Sequence, residues 1–275
     1  MDRLLAQLEA DSSLFEPAQL RRRLDALDWL DAYPHEPRAD AMRGRLEAAN
    51  AAVYEDIRSG IRRGSPRDAL LPWIECCGND TPSAGETEPA GLHYDCLDEL
   101  IGGVLQLREP DSAQIHPAPE MVFYQPTPAR HILHMLRLCT LTQADTLIDL
   151  GSGLGHVPIL ASLLTDAKCI GIELEPAYIA TARECAQSLG LSRVTLLQQD
   201  AREADLSAAT VIYLYTPFTG SILEAVLHKL CEQSAHRALR ICTFGPCTLT
   251  VAQEPWLALD ATPAADRIAL FRTRD

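Results

Sequence analysis

Three absences bound this 275-residue chain before any motif is read. No apolar run approaches the roughly 18 residues that a spanning helix needs, so a membrane span is not expected. There is no surplus of positive charge either: 24 Lys and Arg stand against 38 Asp and Glu, a net charge of -14. A protein that grips a nucleic-acid backbone needs clustered Lys and Arg, so nucleic acid is not the expected partner. The run Arg21-Arg22-Arg23 reads as a solvated helix face. The third absence is of Cys-x-x-Cys: the nine cysteines are odd in number and none is so spaced. No metal site and no disulfide framework are expected, and the cysteines read as small apolar residues of a reduced, cytoplasmic protein. The opening MDRLLAQLEA lacks the basic start and apolar core of a secretory leader.

What is present divides into two rhythms. Residues 1 to about 117 read as helical: Leu20, Leu24, Leu27 and Leu30 recur at helical spacing, and residues 38–62 are rich in Ala, Arg and Glu. Gly64, Ser65 and Pro66 end that helix, and a shorter one is predicted over 67–76. Residues 78–91 read as a linker or hinge, and an apolar helical stripe returns over 94–107. From 118 to 275, short β-rich runs alternate with helical ones. Strands are predicted at 146–150, 168–174, 194–198, 210–215 and 239–244, with two more near 256–260 and 267–273. That alternation predicts an α/β fold: a Rossmann-like, doubly wound, mostly parallel sheet ending in an antiparallel hairpin.

The first strand runs into DLGSGLG, Asp149–Gly155. Gly151, Gly153 and Gly155 let the backbone turn tightly and approach a ligand, with Ser152 between them. A phosphate-cradling loop would end in Gly-Lys-Ser/Thr, and here Gly155 is followed by His156. A dinucleotide loop would place its third glycine one position later. S-adenosyl-L-methionine (SAM) carries a sulfonium, an ammonium and a ribose diol but no phosphate, so acidic residues around the loop suit it. Asp149 precedes the loop, Glu173 ends the second strand where a carboxylate accepts from ribose hydroxyls, and Asp200 with Ala201 follows the third, near the adenine edge.

The motifs TLIDLGSGLG (146–155), GIELEP (171–176), QQDARE (198–203) and VIYLYTPF (211–218) resemble those of the seven-stranded class I SAM-dependent methyltransferases over roughly residues 118–275. The resemblance extends to the subset that includes the non-SET histone-lysine enzymes, through Tyr124-Gln125-Pro126-Thr127 ahead of the first strand. It implies SAM as methyl donor, S-adenosyl-L-homocysteine as product, and Tyr124 and Thr127 closing over the methionine end. The family's Asn/Asp-Pro-Pro-Tyr/Phe segment is replaced here by Tyr215-Thr216-Pro217-Phe218.

Tyr215 and Tyr124 are therefore the candidates for the catalytic step, and Tyr215, Pro217 and Phe218 for the acceptor site. His156 reads as a helix-turn residue, and His131 and His134 as packing or surface residues. The acceptor, a protein side chain or a small molecule, is not specified by these residues. The helical half reads as a lid, with a homodimer contact or partner surface as alternatives. A nicotinamide oxidoreductase and a non-catalytic SAM-binding scaffold are the competing readings.

Overall fold

The computed structural model describes residues 2–77, 89–110, 120–122, 124–259 and 261–274. Most of the expected linker at 78–91 lies outside them. The chain divides into two compact units, the first holding the N-terminal helices together with Tyr94–Gln106, the second running from Leu107 to Asp275. Pro89 to His93 belong with the second unit, and the expected boundary at 117/118 lies outside the described residues.

The first unit is built from α1 (Asp2–Ala10), two 3-10 turns, α2 (Leu20–Asp31), α3 (Pro37–Arg62), α4 (Pro66–Cys77) and α5 (Cys96–Leu105). Pro37 at the first position and the Glu36 carboxylate, accepting from the Ala39 amide, start α3; Gly64, at φ +91°, follows its end. Leu5, Leu30, Met42 and Leu46 form its apolar centre. Asp95 and Asp98 cap α5 reciprocally. Arg23 of the basic run is fully buried and donates to Asn50 Oδ1 and to the carbonyls of Leu14 and Glu16, so the run is not a uniformly solvated face.

The second unit holds α6 (Ala129–Cys139) and a seven-stranded sheet: β1 (Thr146–Leu150), β2 (Lys168–Glu173), β3 (Val194–Gln198), β4 (Val211–Tyr215), β5 (Arg240–Phe244), β6 (Leu257–Leu259) and β7 (Ala269–Thr273). Helices α7 (His156–Leu164), α8 (Pro176–Ser188), α9 (Gly220–Ser234) and the short α10 (Cys247–Val251) make the connections. The strand order is β3-β2-β1-β4-β5-β7-β6. β1 to β5 are parallel, and β7 enters antiparallel between β5 and β6. All five residues of β1 are buried, as a strand covered on both faces requires. β1 pairs with β2 on one side and β4 on the other, so the strand order reverses there. A crevice opens at the carboxyl ends of strands at such a reversal.

Candidate active site

That crevice is a cavity of about 330 Å³ whose described lining lies between Met121 and Ile222. Its floor is the turn after β1. Gly151, Gly153 and Gly155 all adopt positive φ, at 80°, 52° and 81°. The amides of Gly151 and Ser152 both donate to the Ile172 carbonyl, which fixes the turn to the end of β2. Gly151 and Ser152 face the cavity, whereas Gly153 and Gly155 serve packing. A Cβ on Gly153 would overlap the ring of Tyr124, and one on Gly155 would press on Ala182 and Ile159 of α8 and α7.

The acidic residues are placed by three successive strand ends. Asp149 is 3% exposed, and burial pushes its carboxyl well above the usual carboxylate range, with the neighbouring Glu173 charge adding to the shift. Glu173 Oε2 accepts from the Gly153 amide at 2.9 Å, and Oε1 accepts from the amides of Leu174 and Glu175. A carboxylate has about four acceptor positions, so three are committed to backbone and about one is left for a ligand hydroxyl. Asp200 lines the cavity, yet its carboxylate accepts from the Arg202 amide and guanidinium. Ala201 lies beside it in the wall.

The approach segment before α6 crosses the carboxyl ends of the strands. Met121 pairs antiparallel with Phe218, and the Val122 amide donates to the Pro217 carbonyl. Tyr124 Oη lies 3.0 Å from His156 Nδ1, and its ring packs against Tyr178 with centroids 5.0 Å apart. Thr127 Oγ1 lies 3.0 Å from Tyr213 Oη, both buried. The segment thus brings Tyr124 to the glycine loop and Thr127 to β4.

On the other side, Tyr215 ends β4, lines the cavity and packs on Phe244 of β5 at 4.6 Å. Thr216 follows at φ +37°, a left-handed geometry costly for a β-branched residue. Its hydroxyl donates to the Phe244 carbonyl and accepts from the Cys247 amide, which holds the kink. Pro217 covers Gly151, where a Cβ would collide with it. Phe218 is 4% exposed and belongs to the main apolar core while touching the cavity.

Sequence reasoning missed Tyr178, Tyr213 and Glu175 as wall residues. Tyr178 and Glu175 were open to it, since both follow Glu173 at the start of α8. His156, read as a helix-turn residue, lines the cavity and holds Tyr124; burial pushes its imidazole down to about 4, so it is neutral near pH 7. His131 is fully buried, with Nε2 bonded to the Gly91 carbonyl and its ring against Phe244, as a packing residue.

The residues present fit SAM. Ser152 is one of the residues lining the cavity, and its hydroxyl, buried beside Gly171, has no hydrogen-bond partner among the described residues, which suits a polar ligand group nearby. The carboxyls of Asp149 and Glu173 suit a cationic amino-acid end and a ribose. A pyrophosphate fits poorly. The Gly153 amide is already taken by a carboxylate, and Arg202, the cation in the described wall, is paired with Asp200.

Comparison with known proteins agrees. Residues 141–240 match the methyltransferase domain family. The protein-lysine N-methyltransferase of Saccharolobus islandicus is 30% identical over 94 residues, 34% of this chain and 58% of that protein. The ribosomal protein L11 methyltransferase of Edwardsiella ictaluri is 34% identical over 109 residues, 39% of this chain and 37% of that protein. An RNA methyltransferase from Salinibacter ruber, solved with S-adenosyl-L-homocysteine, superposes with a TM-score of 0.45 at 30% identity, over 54% of this chain and 92% of that one. The chain spans about half the length of the curated relatives it matches, or less. The sheet, the loop and the family match together define a methyltransferase domain of the seven-stranded, SAM-dependent class.

Proposed function

We propose that the chain transfers the methyl group of SAM to a nitrogen or oxygen of a protein or peptide side chain. The observation that carries this is the charge of the cavity wall. Glu173, Glu175 and Asp200 face it, Asp149 joins them once a cationic ligand draws its buried carboxyl into the ionised form, and the Arg202 guanidinium is bound to Asp200. Such a wall attracts cationic groups and repels phosphates, which favours a protein acceptor over RNA. Two relatives named for protein substrates support the same choice. The segment Tyr124–Thr127 supports a place near the subset that holds the non-SET histone-lysine enzymes.

When bound, SAM supplies a methyl group on a sulfonium, whose charge already activates the leaving thioether. The chain's own work is then to bind and orient. Asp149 offsets the positive amino-acid end, and Ser152 and Glu173 hold its polar groups. Tyr124 and Thr127 shield it from water. Tyr215, Pro217 and Phe218 form the wall against which the acceptor is held on the line of attack, and this alignment is the main source of rate. A base is required only for an acceptor that must lose a proton. None of the described helices is long and apolar enough to cross a membrane. A cytoplasmic setting is part of the same proposal.

The test is transfer of label from methyl-labelled SAM in a lysate of the native host. Label should enter the protein fraction, survive ribonuclease, and fall at least about tenfold with Asp149→Asn, the loss of a charge-assisted contact. Label in RNA alone would reject the protein acceptor.

A further inference from the structure

We infer that His156 is the positioning residue for Tyr124, holding its ring over the glycine loop and so fixing the approach segment above the cofactor cavity. The inference rests on the methyltransferase reading above and extends it to a residue that the loop's ligand contacts do not require.

Tyr124 is held on three sides. Its ring occupies the space that a side chain at Gly153 would fill. Tyr178 of α8 packs against it at 5.0 Å, tilted by 49°. The hydroxyl contact of 3.0 Å to His156 Nδ1 adds a directional hold to these ring contacts. The segment's other anchors lie before and after it, at Val122 on the Pro217 carbonyl and at Thr127 on Tyr213. Tyr124 lies between them, and its hydroxyl ties it to α7 at His156.

His156 is suited to the task. It is the first residue of α7, directly after Gly155, and the Ile159 amide bonds back to the Gly155 carbonyl, so its backbone is fixed. Burial keeps the imidazole uncharged near neutral pH. A neutral ring pairs with the hydroxyl in either sense and adds no positive charge beside a cationic cofactor. An aliphatic residue here would remove this hydrogen bond.

Three variants of the full chain test this: His156→Leu, His156→Asn and Tyr124→Phe, with the double variant of the first and third. Asn keeps a hydrogen-bonding atom near the Nδ1 position. Two readouts are needed. In calorimetric titration with SAM and S-adenosyl-L-homocysteine, His156→Leu and Tyr124→Phe should each bind about 3- to 10-fold more weakly, the worth of one hydrogen bond. The Asn variant should stay within about twofold of wild type, and the double variant should be no weaker than the weaker single one. In hydrogen exchange without ligand, amides of the segment 124–127 should exchange faster in His156→Leu and at the wild-type rate in His156→Asn. Multiplicative losses in the double variant would show two independent ligand contacts and overturn the inference. So would unchanged exchange in His156→Leu. If the wild-type protein bound neither adenosyl ligand, the methyltransferase reading would fall, and the exchange measurement would still decide the role of His156.

Discussion

Gly153 concentrates two constraints in one position. It sits at φ +52°, and its missing side chain is the space that Tyr124 occupies. Gly153→Ala must therefore displace the tyrosine while holding a left-handed backbone, and a destabilisation of about 1–3 kcal/mol is expected. Denaturant melts should show that loss, and SAM affinity should fall more steeply than in Tyr124→Phe. Asp149 makes a different kind of prediction. Its carboxyl is raised by burial and by Glu173, and a cationic ligand beside it favours the ionised form. SAM binding should therefore release a proton and strengthen as pH rises. Calorimetry in buffers of different ionisation enthalpy measures that proton, and buffer-independent heats would contradict it. His131 and His156 act on folding with the opposite direction of charge. Burial lowers both to about 4, against 6.5 when exposed. The unfolded chain takes up protons before the folded one, so their contribution is present above pH 6.5 and is lost as pH falls toward 4. Melting temperature should drop over that interval, and less steeply in His156→Asn.

At the scale of elements, the two ends of the sheet carry different tasks. The amino-terminal ends are tied together by Asp145, which accepts from Thr210 Oγ1 and from Arg240, while Arg240 also donates to the Cys139 carbonyl. Arg240→Met leaves a half-buried carboxylate short of its partner and should cost about 1–3 kcal/mol. SAM affinity should stay within about twofold of wild type, because the ligand groups lie at the other end of the strands. A large loss of affinity at intact fold would contradict that separation. These strands were legible in the sequence. The runs at 146–150 and 194–198 coincide with β1 and β3, because parallel strands in a covered sheet read as short β-rich runs. Helix α10 was not legible, since CTLTV is brief and β-prone by composition. Nor was the insertion of β7 between β5 and β6, which depends on pairing and not on local pattern. The glycine loop and its acids were readable by order along the chain. Their partners were less so. Tyr124 meets His156 across 32 residues, and Arg202 captures Asp200 from two positions away, a competition that spacing alone could have suggested.

For the whole molecule, net charge and site charge agree. A chain carrying -14 places carboxyl residues in its cavity wall and binds the wall's arginine to one of them. Polyphosphate ligands are disfavoured by both, and cationic ones are favoured by both. The position of the cavity follows from topology: the strand order reverses at β1, and the acids named in the cavity lie at or just beyond a strand's carboxyl end. The central claim is that this cavity is built for SAM. It is tested most directly by calorimetric titration of the purified protein with SAM, S-adenosyl-L-homocysteine and NAD. One site is expected for each adenosyl ligand, weakened by at least about 1–2 kcal/mol in Glu173→Gln, and no heat with NAD. Saturable binding of NAD with none of either adenosyl ligand would contradict it.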